Sequence, residues 1–287
     1  MELQKIKQCL AQYFKEERGI QIQGDTFPKE LSIVPLFKDG LQGLENGSGH
    51  PEQELEKINS SARLAAFYYK LLEPCSQFFS LRFEWNESTP LEIPGRNIPP
   101  ANLDVRYEVG NKIHFVESKY LEPYYSENEK ISQSYLHQEY YPTVITNADL
   151  WIEKFGQVNG MTRYVNVTQL YRHLLAIYRH YLENPQIYKE KKIVLESVSW
   201  VATERFLHYV GRISKRSESY LEKRKVLIKK ETEVVKKDIN DFIKLLKWGN
   251  CSFETKCYNN MLDSIKDSPR YPEFCEQYLF ELDNGNK

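Results

Sequence analysis

Apolar residues recur at helical spacing from the start of the chain. Leu3, Ile6, Leu10 and Phe14 share one side over residues 1–17 and predict an amphipathic helix. A polar stretch broken by Gly, Pro and Asn follows as far as residue 50. Its apolar patch, Leu31 to Phe37, reads as a short strand or an irregular cover segment. Glu52 to Leu72 returns to the helical period through Leu55, Ile58, Leu64, Phe67, Tyr68 and Leu71, and Pro74 helps to end it. The period then shortens to that of strands. QFFSLRFEW, residues 77–85, predicts a strand, and the Pro- and Gly-rich residues 86–100 a loop. NLDVRYEV and KIHFVESKYL flank Gly110-Asn111 and predict a tight hairpin. Helices are expected over Glu127–Tyr140, with Pro142 next to its end, over Ala148–Phe155 and over Val167–Leu182. On the last, helical steps place Leu170, Leu174, Ile177, Tyr178 and Tyr181 on one side. Gln169, Arg172, His173, Ala176 and His180 fall on another. Lys192–Ser199 predicts a strand, Trp200–Tyr209 the start of a further helix, and 213–247 one long charged helix or a helical hairpin. From Cys251 the tail is aromatic-rich and then polar.

Composition permits a packed core. Hydrophobic residues make up 41% of 287, and Tyr 20 and Phe 14 supply large side chains, so wholesale disorder is excluded. The formal net charge of -1 neither supports nor excludes a nucleic-acid partner, which needs only a local basic surface. One such surface is suggested between residues 212 and 247, where twelve Lys or Arg face six Asp or Glu. This excess suits a DNA backbone or an ordinary solvated helix face. Arg163, Arg172 and Arg179 lie nearer the helix that carries Gln169 and His173. Five cysteines, at 9, 75, 251, 257 and 275, include no Cys-x-x-Cys pair; they read as reduced packing thiols rather than zinc ligands. The N-terminal MELQKIKQCLAQYF has charges throughout and does not read as a signal peptide. No apolar run reaches membrane-spanning length, so a cytoplasmic protein without a membrane partner is expected. Walker, dinucleotide-glycine, helix-turn-helix and zinc-finger patterns are absent.

The chemistry concentrates in the hairpin. Side chains alternate along a strand, so Glu117 and Lys119 point the same way and His114 the other. The neighbouring strand can bring Asp104 beside Glu117. Two carboxylates and a main-chain carbonyl, such as that of Ser118, suit Mg²⁺, a hard cation. Lys119 can orient or deprotonate a water and stabilise a phosphate oxygen; burial and neighbouring carboxylates pull its pKa in opposite directions. Glu-x-Lys is common, but charged residues interleaved with Phe115 and Val116 in a buried strand need a partner or a purpose. Glu122 follows closely enough to join the site, or is an exposed loop carboxylate. Gln169 and His173, one turn apart, suit phosphate binding, orientation of Lys119 or packing on the sheet. Glu84 is another acidic neighbour. His180 and His208 read as structural or exposed.

Asp104, the hairpin and Glu117-Ser118-Lys119 resemble the PD-(D/E)xK nuclease superfamily. Ser60-Ser61 at a helix start, Tyr120-Leu121-Glu122 after the strand, and Gln169 with His173 resemble a group of bacterial restriction endonuclease-like proteins, over residues 50 to 200. The chain departs from that group at Leu103, where a Pro often precedes the Asp, at Asn166 and at Ala62-Arg63. The resemblance implies an α/β, restriction-endonuclease-like three-layer core with a mixed central sheet and added C-terminal helices. It implies a core at 51–210, a cover at 1–50 and a helical extension at 211–287. Relatives also place a Glu on the first core helix, for which Glu54 and Glu56 are available. The implied activity is a Mg²⁺-dependent endodeoxyribonuclease, with Mn²⁺ as a substitute, acting on double-stranded DNA in restriction or defence. Catalytic residues would be Asp104, Glu117, Lys119, Glu122, Gln169 and His173, with the cation on Asp104, Glu117 and Ser118. A homodimer would suit double-strand cutting. The alternatives are an inactive nucleic-acid-binding or assembly protein on the same fold, and a repair or RNA nuclease.

Overall fold

The computed structural model describes residues 3–37, 55–75, 78 and 80–280. Glu54, the first residues of the helix predicted from Glu52 and the start of the strand predicted from Gln77 lie outside them. The described residues form an α/β structure around one open five-stranded mixed sheet. Its strands are β1 (Arg82–Trp85), β2 (Leu103–Val109), β3 (Lys112–Lys119), β4 (Lys192–Ser199) and β5 (Cys251–Cys257), in chain order across the sheet. The first three run antiparallel, and β3–β4 and β4–β5 are parallel.

Antiparallel neighbours need only a tight turn, and Gly110 (φ 57°) supplies the left-handed first position of a two-residue turn between paired Val109 and Lys112. Parallel neighbours need a crossover. Helices α4 (Ala148–Val158) and α5 (Val167–Glu183) make the first, and α6 (Glu204–Ile213) and α7 (Lys215–Leu245) the second. Helices α1 (Leu3–Arg18) and α2 (Ser61–Leu72) precede the sheet, the single turn α3 (Glu122–Tyr125) follows β3, and α8 (Tyr271–Gln277) comes last.

Helices cover both sheet faces. Ile113, Phe115, Ile193, Leu195 and Phe253 pack with Trp151, Leu174, Ile177, Val235, Ile239 and Phe242 of α4, α5 and α7. On the other face, Val105, Tyr107, Val116 and Val198 join a core that includes Leu10, Leu64, Phe67, Phe206, Val210 and Phe274 of α1, α2, α6 and α8. Burying each of these large apolar side chains contributes about 1.5–3 kcal/mol before the entropy of ordering is subtracted.

Several elements differ from the sequence pattern. The second helix starts at Ser61, not at 52, because the Ser60 hydroxyl accepts the Arg63 amide and caps it there. Among the described residues, the strand before the loop spans Arg82–Trp85. Of the two expectations for the patch at 31–37, the irregular cover segment holds, made of short 3₁₀ turns at Lys29–Leu31 and Val34–Phe37. No α-helix forms over 127–140, which holds 3₁₀ turns at Gln133–Leu136 and Gln138–Tyr140. Backbone groups there have tertiary partners instead: Asn128 N donates to Arg163 O, Ile131 N to Asn159 Oδ1, and Glu129 O accepts from Thr168 Oγ1. Of the two expectations for 213–247 the single long helix forms: α7 is continuous from Lys215 to Leu245, and the Ser214 hydroxyl caps it through Ser217 N. The tail supplies β5 as well as a helix.

Candidate active site at the end of strand β3

Strand alternation places Glu117 and Lys119 on the sheet face covered by α5. The register of β2 with β3 ends at Val105–Val116. Beyond it the strands part, and the Asp104 carboxylate takes the place of a backbone acceptor: Ser118 N donates to Asp104 Oδ2 at 2.6 Å. A strand residue's N–H and C=O leave by the same edge, so the Ser118 carbonyl also points toward β2. The Lys119 carbonyl points the other way and accepts Trp200 N. The Ser118 hydroxyl is tied to Tyr258 Oη (2.9 Å) and donates to Ser61 O (3.2 Å), so the start of α2 is fastened to the site strand.

Both Glu117 oxygens are engaged. Lys119 Nζ donates to Oε1 at 2.5 Å, and His173 Nε2 lies 3.0 Å from Oε2. The His173 contact is short but not aligned as a hydrogen bond, and its Nδ1 has no partner although the side chain is buried. Glu122 sits at the start of α3 and accepts Tyr120 N at 2.8 Å. The charges are interdependent. Burial would raise the Glu117 pKa, but Lys119 and His173 outweigh it and hold it at about 2. Burial would lower that of Lys119, but Glu117, Glu122 and Asp104 hold it above the usual lysine range. Asp104 is pushed well above the usual carboxylate range, first by burial and then by Glu117.

Of these groups Glu117, Lys119 and Glu122 line an open cleft of about 290 Å³, with Asp104, Ser118 and His173 behind them. Its lining includes Glu117, Lys119, Glu122, Tyr125, Glu127, Glu129, Tyr164, Asn166, Gln169, Ser197 and Ser199. The α5 helix begins there, where Asn166 Oδ1 accepts Gln169 N and caps it. Helix α7 holds both walls. Buried Arg224 donates from Nε to Pro123 O at 2.6 Å and from a second nitrogen to Ser126 O, and lies 4.0 Å from the Tyr164 ring centroid. About two turns further on, the Glu231 carboxylate accepts the amides of Arg163, Tyr164 and Val165 at 3.0, 2.8 and 3.0 Å. Charge-assisted bonds of this kind are worth about 1.5–3 kcal/mol each in favourable settings. Glu231→Ala is therefore expected to lower the thermal midpoint and to accelerate hydrogen exchange at Tyr164 and Val165; unchanged exchange at those amides would show that the wall holds itself.

The structure thus gathers Asp104, Glu117, Ser118, Lys119, Glu122 and His173, and Gln169 lines the same cleft. His173, Ala176 and His180 do not form a solvated polar side of α5; all are buried. His180 Nδ1 meets Tyr188 Oη at 2.6 Å, and burial lowers its pKa. His208 is exposed. His114 faces away from Glu117, and its Nδ1 lies 2.6 Å from Glu196 Oε1 on the opposite sheet face. Glu84 falls on the edge strand β1, two strands from Glu117, and Glu56 lies ahead of α2. Arg163, Arg172 and Arg179 each have a carboxylate partner: Glu127 for the first, Glu129 for the second, and Glu92 and Glu183 for the third. The sequence pattern did not single out Ser197, Ser199, Tyr125, Tyr164, Arg224 or Glu231. For the serines a signal existed, since KIVLESVS turns from apolar to Ser on one alternating face.

Comparison with protein-family models, with curated proteins and with solved structures gave no match. Among the described residues, no helix is long and apolar enough to cross a membrane.

Proposed function

We propose that the chain is a Mg²⁺-dependent endodeoxyribonuclease with a restriction-endonuclease-like core, acting in restriction or defence. The observation that carries the reading is the Asp104 carboxylate on the Ser118 amide, with Glu117 and Lys119 on the next strand at the head of a cleft.

The donor set fits a hard divalent cation. The described residues hold no group of three or more His, Cys, Asp or Glu side chains arranged for a metal. A cation here would rest on Asp104 and Glu117, the Ser118 carbonyl and water, in the manner of Mg²⁺ rather than of zinc. When bound, it would supply charge neutralisation at the phosphate and a water of lowered pKa. Asp104 has an elevated proton affinity that such a charge would relieve. Lys119 is held protonated by the carboxylates around it, while burial acts to lower its pKa. A cation on those carboxylates would weaken their hold on the Lys119 proton, and Lys119 would then be placed to orient an attacking water or take its proton. His173 Nε2 lies against the Glu117 carboxylate, and Gln169 lines the cleft from the start of α5.

The choice of DNA rests on the resemblance, since hydrolysis of RNA would use the same groups. The test is incubation with a panel of duplex and single-stranded DNA and RNA, with Mg²⁺ or Mn²⁺ and with chelator. Metal-dependent DNA cleavage that is lost in Glu117→Gln is expected. DNA binding without cleavage, unchanged by metal, would instead favour the inactive binding protein; cleavage of RNA alone would move the substrate.

A further inference from the structure

We infer that Ser197 and Ser199 of β4 form a neutral hydroxyl pair that binds the substrate's phosphate beside Glu117 and Lys119. The inference rests on the nuclease reading and deepens it.

The placement follows from register. In the parallel pairing of β3 with β4, Glu117 lies beside Ser197 and Lys119 beside Ser199. Neighbouring strands are about 4.8 Å apart, and residues two apart on a strand share a face. Each hydroxyl therefore stands one strand away from a charged group of the site, on the same side of the sheet. Earlier on that face β4 carries Ile193 and Leu195, both fully buried in the core. The apolar row ends where the cleft opens, and both serines line it.

No described protein group takes up their hydroxyls. Several polar side chains around the site have hydrogen-bond partners in the protein, Ser118 with Tyr258, Glu122 with the Tyr120 amide and Thr232 with Ile228 O, whereas buried His173 has none. Among the described residues, no side-chain hydrogen bond engages Ser197 or Ser199, and both are only half-buried. A serine whose role was to satisfy the interior would have an internal partner.

The charge of the cleft indicates what they would bind. Glu117, Glu122, Glu127 and Glu129 line it, with Lys119 as the cationic side chain among them. Lys119 is already paired with Glu117. A phosphodiester entering this cleft meets an acidic wall, which a bound cation offsets at only one point. Hydroxyls donate to phosphate oxygens without adding charge, so they hold the anion on the β4 side. That position flanks the reacting phosphate, opposite the β2 edge that carries Asp104.

The test is single-turnover cleavage of the best DNA substrate by the wild type and by S197A, S199A, the double alanine variant and the double threonine variant. Mn²⁺ affinity and thermal midpoint are measured for each. Loss of about tenfold in kcat/KM for each alanine, with a larger loss in the double variant, is expected. Mn²⁺ affinity and midpoint should be unchanged, and threonine, which keeps the hydroxyl, should restore most of the rate. Wild-type rates in the double alanine variant would overturn the inference and leave the nuclease standing. A rate loss that follows a loss of stability or of Mn²⁺ affinity would also overturn it. A wild-type protein that cleaves no nucleic acid would overturn both readings.

Discussion

Lys119→Ala is expected to abolish cleavage and to make the protein's stability depend on divalent cation. The ammonium is paired with Glu117 and lies in the field of Glu122 and Asp104. The Glu117 side chain is almost wholly buried and that of Lys119 is 21% exposed, so this is not a surface ion pair of small value. Removing one partner of a buried pair leaves the other uncompensated and costs on the order of 3 kcal/mol. For a chain of this size that is a fall of roughly 5–10 °C in the midpoint. Mg²⁺ should recover much of it, because a cation on Asp104 and Glu117 supplies the missing positive charge. It should raise the midpoint of the variant more than that of the wild type. The acid limb should move as well. A carboxylate with a depressed folded pKa adds stability above its unfolded value and loses it as pH falls through the folded one, which for Glu117 is about 2. Without Lys119 that loss begins at higher pH. Calorimetry with and without Mg²⁺ decides: an equal drop in both conditions would mean that Lys119 is not standing where a cation acts.

How much of this was legible in the residues depends on whether the cause was local. The hairpin was, because alternating runs around Gly110-Asn111 define both strands and the turn. The common face of Glu117 and Lys119 follows from strand geometry and holds in the sheet. The helix at 167–183 was legible from its period, but its environment was not. A period shows which residues share a side, while the burial of His173 and His180 depends on sheet and loop segments far away in sequence. The region 127–140 shows the same limit. Its propensity favours a helix, yet its amides and carbonyls are claimed by residues 159–168, which no local pattern announces. The basic excess of 212–247 was a true count with a partly different meaning. Arg224 is buried under the cleft wall, and Lys237 and Lys244 pair with Asp241 on the exposed side of α7, so part of that charge is already matched within the protein.

Asp104→Asn is expected to stabilise the protein without divalent cation while eliminating its activity. The Asp104 carboxyl keeps its proton to a higher pH than in the unfolded chain, because burial and Glu117 disfavour its charge. A group with a raised folded pKa favours the folded state below the unfolded value, near 3.8 for Asp, and that advantage is lost as pH rises through the folded pKa. The wild type in chelator should therefore lose stability over that interval. Asparagine has no charge to bury, and its side-chain oxygen can still accept the Ser118 amide. The variant should lack this decline and exceed the wild type by about 1–2 kcal/mol at slightly alkaline pH, the usual scale for a buried group with incomplete compensation. The same substitution removes one of two carboxylates available to a cation, so Mg²⁺ affinity and cleavage should fall together. Cation binding to the wild type should release protons and tighten as pH rises, and the variant should show neither effect. Denaturant melts across pH in chelator, paired with Mn²⁺ titrations, separate the two consequences. A variant less stable than the wild type at alkaline pH would mean that Asp104 stabilises the fold through its contact with Ser118, with no strain reserved for a cation.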